Sequence, residues 1–209
     1  MDPLIETLAS VVDRHGDGAW LRAQLGQPGF APAFAAAGRK LGTTPITDAD
    51  AAAVCAAGLV WPAGTGADEC GRAALVLAAV TTQPDPVAFV RDLIRRGEVR
   101  ERCAVLRVLA ALPEPARFVD LGVDACRTNV DGVFRAIACD NAFPARQFAA
   151  PAFDQMVLKA LFVGAPLSRV VGLAERRTPE LVRMVEAYAS ERRAAGRPVP
   201  DDAKLVTGP

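Results

Sequence analysis

Histidine occurs once in these 209 residues, as His15, and aromatic side chains make up only 6% of the chain. No G-x-S-x-G stands anywhere, and His15 is far in sequence from the chain's polar clusters, so no nucleophile–base pair is signalled. Gly64-Thr65-Gly66 lacks the Gly-Lys-Ser/Thr ending of a phosphate loop. The five cysteines, Cys55, Cys70, Cys103, Cys126 and Cys139, form no C-x-x-C pair, so a zinc site lacks its ligand spacing. No metal and no cofactor is expected. Surplus charge is also missing, with 24 basic and 24 acidic residues. No overall field therefore draws the protein to nucleic acid or to a membrane. The pairs Arg95-Arg96, Arg176-Arg177 and Arg192-Arg193 each have a Glu close by and read as solvated helix faces. The longest apolar run, Ala49 to Val60 apart from Asp50, is too short to span a bilayer. Met1-Asp2-Pro3 carries no basic n-region. A soluble, cytoplasmic protein with buried, reduced thiols is expected.

What is there is apolar and alanine-rich. Hydrophobic residues reach 51% and mean hydropathy is +0.20, which favours close-packed helices over sheets. Asp2-Pro3 reads as a helix start, with Leu4, Ile5, Leu8, Val11 and Val12 at helical spacing. Trp20 to Leu25 is a short second helix, closed by Gly26 and followed by Pro28; Phe30 to Leu41 is a third, stopped by Gly42. A fourth begins at Asp48 and ends near Gly58, before the loop Trp61–Glu69.

From there the chain repeats. Arg72–Val90 aligns with Arg102–Val119 at an offset of 30 that falls to 29, and Val105–Phe118 resembles Val133–Phe148 at 28 growing to 30. Each copy is an Ala/Leu/Val helix, a turn with Pro, then an aromatic opening the next helix. A period near 30 with two helices per unit is what α-solenoids show. The expected fold is all-α, a single-domain, right-handed stack of helical hairpins of the HEAT kind. Its parts are an N-terminal helical segment packed on the stack (1–66), the repeats (67–196) and a C-terminal tail (197–209). The tail either lies on the surface through Val199 and Leu205 or is disordered.

The chemistry-bearing stretch is Asp124 to Leu167. Asp124 and Arg127 fall one turn apart and can pair. Thr128 or Asn129 is expected to cap the helix near Val130, and Asp140-Asn141 to close it in a side-chain-stabilised turn. On a helix from about Ala149 to Val163, Phe153, Met156, Val157, Ala160 and Leu161 make one apolar face. Leu158 and Phe162 flank Gln155 and Lys159 on the other. Such a helix is buried, and a dry Lys159 needs a partner, with Asp124, Asp131, Asp140 and Asp154 as the acids nearest in sequence. The candidate ligand-binding set is Asp124, Arg127, Asn129, Asp140, Asn141, Gln155 and Lys159. The plain alternative is that caps and ion pairs account for all of them. At 140–141 the third copy has Asp-Asn where the second has Leu112-Pro113.

DACRTNVDGVFRAIACDNAFPARQF, followed by FDQMVLKALFVGAPLSRVVGL and YASERRAAGRPVP, resembles the EboA family from about Arg100 to Pro200; the first third offers FAAAGRKLG. Asp154 stands where the family pattern carries Asn. The resemblance implies a metabolite-traffic protein, encoded in a multi-gene cluster beside enzymes that make or move a small secondary metabolite. The expected function is a non-catalytic component of such a pathway, binding a small polar intermediate or a partner enzyme of the same cluster. Two alternatives stay open: an enzyme using Asp124, Asp140 and Lys159 as acid–base groups, and a protein–protein scaffold with a purely structural polar cluster.

Overall fold

The computed structural model describes residues 2–27 and 29–208; Met1, the proline expected after the second helix (Pro28) and the last residue of the expected tail (Pro209) lie outside them. Among the described residues every regular element is helical, and the one β-type contact is an isolated bridge between Pro45 and Gly66. In order the α-helices are α1 (Pro3–His15), α2 (Gly18–Gln24), α3 (Phe30–Leu41), α4 (Asp48–Ala56), α5 (Ala67–Val80), α6 (Pro86–Arg96) and α7 (Val99–Val108). Then follow α8 (Val119–Ala125), α9 (Asp131–Ala138), α10 (Ala142–Gln147), α11 (Ala150–Val163), α12 (Pro179–Ala194) and α13 (Lys204–Thr207). None is long and apolar enough to cross a membrane.

The starts obey local chemistry. Asp2 caps α1, its carboxylate accepting from the Leu4 amide at 2.7 Å, and Asp85 caps α6 through the Ala88 amide at 3.0 Å. In both, Pro follows at the first helical position, where its missing N–H costs nothing. Thr47 and Asp50 form a reciprocal capping box at α4.

Packing divides the chain into two compact units, one up to Leu121 and one from Gly122 on. In the first, α5 is the central helix, with α1, α3 and α7 against it. It is buried nearly all round, and Gly71 shows how tightly: a Cβ there would stand 2.0 Å from Leu41 Cδ1. Asp68, Glu69 and Arg72 are buried on the same helix, so each needs a partner. Asp68 is held by Arg72 and by Arg100, whose Nε donates at 3.0 Å, and Arg107 Nε donates to Glu69 at 3.3 Å. Burial pushes the Glu69 carboxyl up, and Arg107 and Arg100 pull it back.

Two repeat positions lie in this unit. Leu75–Val80 is in α5, and Val105–Val108 in α7, which a 3-10 turn (Leu109–Ala111) prolongs; α5 packs directly on α7. Val133–Ala138 is in α9, in the second unit. The recurring aromatics diverge in burial: Phe118 and Phe148 are buried, whereas Phe89 remains half-exposed.

In the second unit α11 packs on α9 and α12, and α13 docks on α12. The tail is ordered as a 3-10 turn (Asp201–Ala203) running into α13, and its anchor differs from expectation. Ala203 and Val206 are buried while Leu205 is 48% exposed, because helical spacing turns 203 and 206 to the same side. The thiols also differ: Cys70, Cys103 and Cys139 are buried and Cys55 is exposed. Cys55 lies on α4, whose buried positions are Asp50, Ala51 and Val54.

Candidate functional site

Helix α11 builds the site. Phe153, Met156, Val157, Ala160 and Leu161 are buried as a single face, and Gly164 ends the helix in the left-handed region (φ 69°). The other side is only partly covered. Gln155 is exposed, Lys159 half-buried, and Phe162 59% exposed, so the helix is not dry all round as its apolar sequence suggests. Between α11 and the end of α8 runs a groove of about 430 Å³. Val123, Cys126, Ala152 and Met156 give it apolar walls, and Arg127, Gln155 and Lys159 give it donors.

Lys159 settles its charge without an acid. Its Nζ donates to the Cys126 carbonyl at 2.7 Å and to the Thr128 carbonyl at 2.6 Å, and lies 4.9 Å from the centre of the Phe134 ring. Asp124, Asp131, Asp140 and Asp154 are all engaged elsewhere. The chain just past α8 presents carbonyls that no helical amide satisfies, and a cation there completes them. An ammonium has three N–H bonds, so one is left without a hydrogen-bond partner among the described residues. Cys126, beside it, has its thiol pushed up to about 12 by burial, with Lys159 pulling the other way. A thiol so poised is not a nucleophile at neutral pH.

The remaining candidates scatter. Asp124 and Arg127 pair at 2.7 Å, both well exposed, a geometry that contributes little stability. Asn129 is exposed and makes no side-chain hydrogen bond among the described residues. Neither Thr128 nor Asn129 caps α9: Val130 occupies that position, and the Thr128 hydroxyl accepts the Val130 amide at 3.2 Å in a turn just before it. Asp140 has a left-handed backbone (φ 47°) and binds Arg169, whose Nε donates at 2.7 Å. Asn141 is buried; its Oδ1 accepts the Phe143 amide at 2.9 Å and its Nδ2 donates to the Ala136 carbonyl at 2.9 Å. It caps α10 and ties it back to α9. The groove thus gathers Arg127, Gln155 and Lys159, with Asp124 attached through Arg127; Asn129, Asp140 and Asn141 do not line it.

Two neighbours make contacts that no local pattern signals. Asp154 is buried on α11, one oxygen accepting the Thr178 hydroxyl at 2.8 Å and Oδ1 without a hydrogen-bond partner among the described residues. Arg176 donates to the carbonyls of Pro144, Ala145 and Phe148 at 2.7–2.9 Å and stacks 4.5 Å from the centre of the Phe153 ring. Its partners lie 28 to 32 residues away, beyond any local pattern. No group of three or more His, Cys, Asp or Glu among the described residues is placed to hold a metal ion.

No curated protein and no solved structure matches the chain. A family profile does, the one described as metabolite traffic protein EboA, over residues 20–206. That span takes in the groove, the Lys159 contacts and all the helices from α3 to α12, and on it the chain belongs to the EboA family.

Proposed function

We propose that the protein is a non-catalytic carrier or accessory component of a small-metabolite pathway, and that it holds a small polar intermediate in the groove beside α11. The observation that carries this is Lys159. Its ammonium is fixed by two carbonyls at the edge of an open groove of about 430 Å³, with one N–H left to give and Gln155 one turn away. A cavity of that size, mostly apolar with a few convergent polar groups, suits a small ligand. The family description, metabolite traffic, points the same way. Catalysis finds less support, since Asp140 is bonded to Arg169 and does not line the groove with Lys159. The protein acts in the cytoplasm beside the enzymes of a secondary-metabolite gene cluster, and its hairpins belong to a HEAT-like stack. The direct packing of α5 on α7 supports that last reading.

A second reading, a scaffold for a partner enzyme, draws on the buried and bonded state of Asn141, which gives that residue a structural task. One experiment separates the two. Wild-type protein and Gln155→Leu are purified from the native host and their retained small molecules compared by mass spectrometry. The carrier reading expects a compound held by wild type and lost from the variant. Identical small-molecule content with unchanged retention of a partner protein would favour the scaffold.

A further inference from the structure

Two grooves of the first unit meet at Phe30 and Gln83. The larger, about 520 Å³, runs between α3 and α6 and is walled by Phe30, Phe34, Pro84, Ala88, Phe89 and Leu93. Its rings form a row: Phe34 stacks on Phe30 at 5.1 Å between centroids, and Phe89 meets Phe30 edge-on at 4.8 Å. Phe30 and Phe89 are half-exposed, an open aromatic surface in a chain with few aromatics. The smaller groove, about 340 Å³, is amide-rich, with Gln24, Gln27, Thr82 and Gln83 around the side-chain-free Gly26 and Gly29.

The charges around the larger groove are already engaged. Asp85 caps α6, Asp92 stands 3.5 Å from Arg96, and Glu101 accepts the Glu98 amide at 3.0 Å while Arg72 stands 3.8 Å away. In the smaller groove acceptors and donors remain. Gln83 Nε2 donates to the Ala79 carbonyl at 3.2 Å, which leaves its oxygen to accept, and the Gln24 and Gln27 amides have no side-chain hydrogen bond among the described residues. No charged side chain lines the smaller groove, so an ionic head finds no countercharge there, whereas a neutral polar one finds several amides.

We propose that the two grooves form one trough for an uncharged amphiphile. A hydrocarbon or ring body lies over the three phenylalanines, and a hydroxyl- or amide-bearing head lies among the glutamines. The volumes fall in the range of small-molecule sites, and burying the body against aromatic walls supplies most of the affinity. This site is independent of the groove beside Lys159.

The test uses three probes with one tail: octyl glucoside, octanoate and octylammonium, all below micellar concentration, displacing N-phenyl-1-naphthylamine fluorescence from the full chain. Octyl glucoside is expected to bind at least about tenfold more tightly than either ion, a difference of about 1.4 kcal/mol. Ala35→Arg, at an exposed position in the larger groove's wall, abolishes binding of all probes, and Ala31→Arg one turn earlier does the same. Gln83→Leu weakens octyl glucoside alone by about tenfold and leaves the naphthylamine. Gln155→Leu changes none of these, which keeps this outcome separate from that of the second unit's groove. Equal affinity for the three heads, or undiminished binding in both arginine variants with the melting transition intact, would overturn the proposal.

Discussion

The Lys159 ammonium lies 2.7 Å from the Cys126 carbonyl oxygen, with the Thr128 carbonyl at 2.6 Å completing the bracket. Lys159→Ala strips both carbonyls of their donor and is expected to cost about 1–3 kcal/mol, read as a lower urea midpoint at unchanged m-value. Gln155→Ala is the informative companion. Its side chain is exposed and bonds to no described residue, so stability stays within about 0.5 kcal/mol while ligand retention falls. A variant pair that lost stability and retention together would place Gln155 in the structural class.

Asp68 has no accessible surface and is clamped by Arg72 and Arg100. Removing the carboxylate strands buried positive charge, so Asp68→Ala is expected to destabilise by about 3–5 kcal/mol. Arg96→Ala, in an exposed pair with Asp92, should change the midpoint by less than about 0.5 kcal/mol. Equal effects in the two variants would show that the buried Asp68 pairs contribute no more than an exposed one.

Acid should act through Asp50. Burial alone would raise its carboxyl, but hydrogen bonds from Thr47, Arg14 and His15 outweigh burial and hold it well below the ordinary range. A carboxyl depressed in the folded state contributes stability above its unfolded value of about 3.9 and loses it as pH falls toward the folded value. Urea midpoints between pH 7 and pH 2 are expected to drop below about pH 4 in the wild type. Asp50→Asn starts lower at pH 7 and shows a shallower acid slope.

Thiol labelling should be selective. Cys55 is exposed, whereas burial pushes Cys103 up to about 11, Cys126 up to about 12, and Cys70 higher still. Iodoacetamide at neutral pH is expected to modify Cys55 rapidly and the others only on unfolding, with intact-mass spectra showing a single adduct. A second early adduct at Cys126 would mean that its thiol is far more acidic than its surroundings imply.

The helices were legible because their signals are local. Asp2-Pro3 places a cap and a proline where α1 begins, and the five apolar residues of α11 recur at its own pitch. Asn141 as a turn residue was legible for the same reason. What escaped depends on pairs distant in sequence: Arg100 with Asp68 across 32 residues, Arg107 with Glu69 across 38, and Lys159 with the Cys126 carbonyl across 33. Backbone carbonyls carry no sequence identity, so the sequence offers only acids as partners for Lys159, whereas its partners are main-chain oxygens. The trough at Phe30 escaped because the Phe89 of the first copy matches two buried aromatics, and periodicity cannot tell which copy leaves its ring uncovered.

Asp140 has one more consequence. Its left-handed backbone carries strain of about 1 kcal/mol that glycine would relieve, while its half-exposed link to Arg169 returns an amount of similar size. Asp140→Gly therefore trades one against the other, and the melting curve barely registers the exchange. Hydrogen exchange does: the Asp140 amide, bonded to the Arg169 carbonyl at 2.8 Å, loses protection once that side chain no longer holds the crossing closed. In that variant the crossing at position 140 is expected to open locally while the global stability stays unchanged.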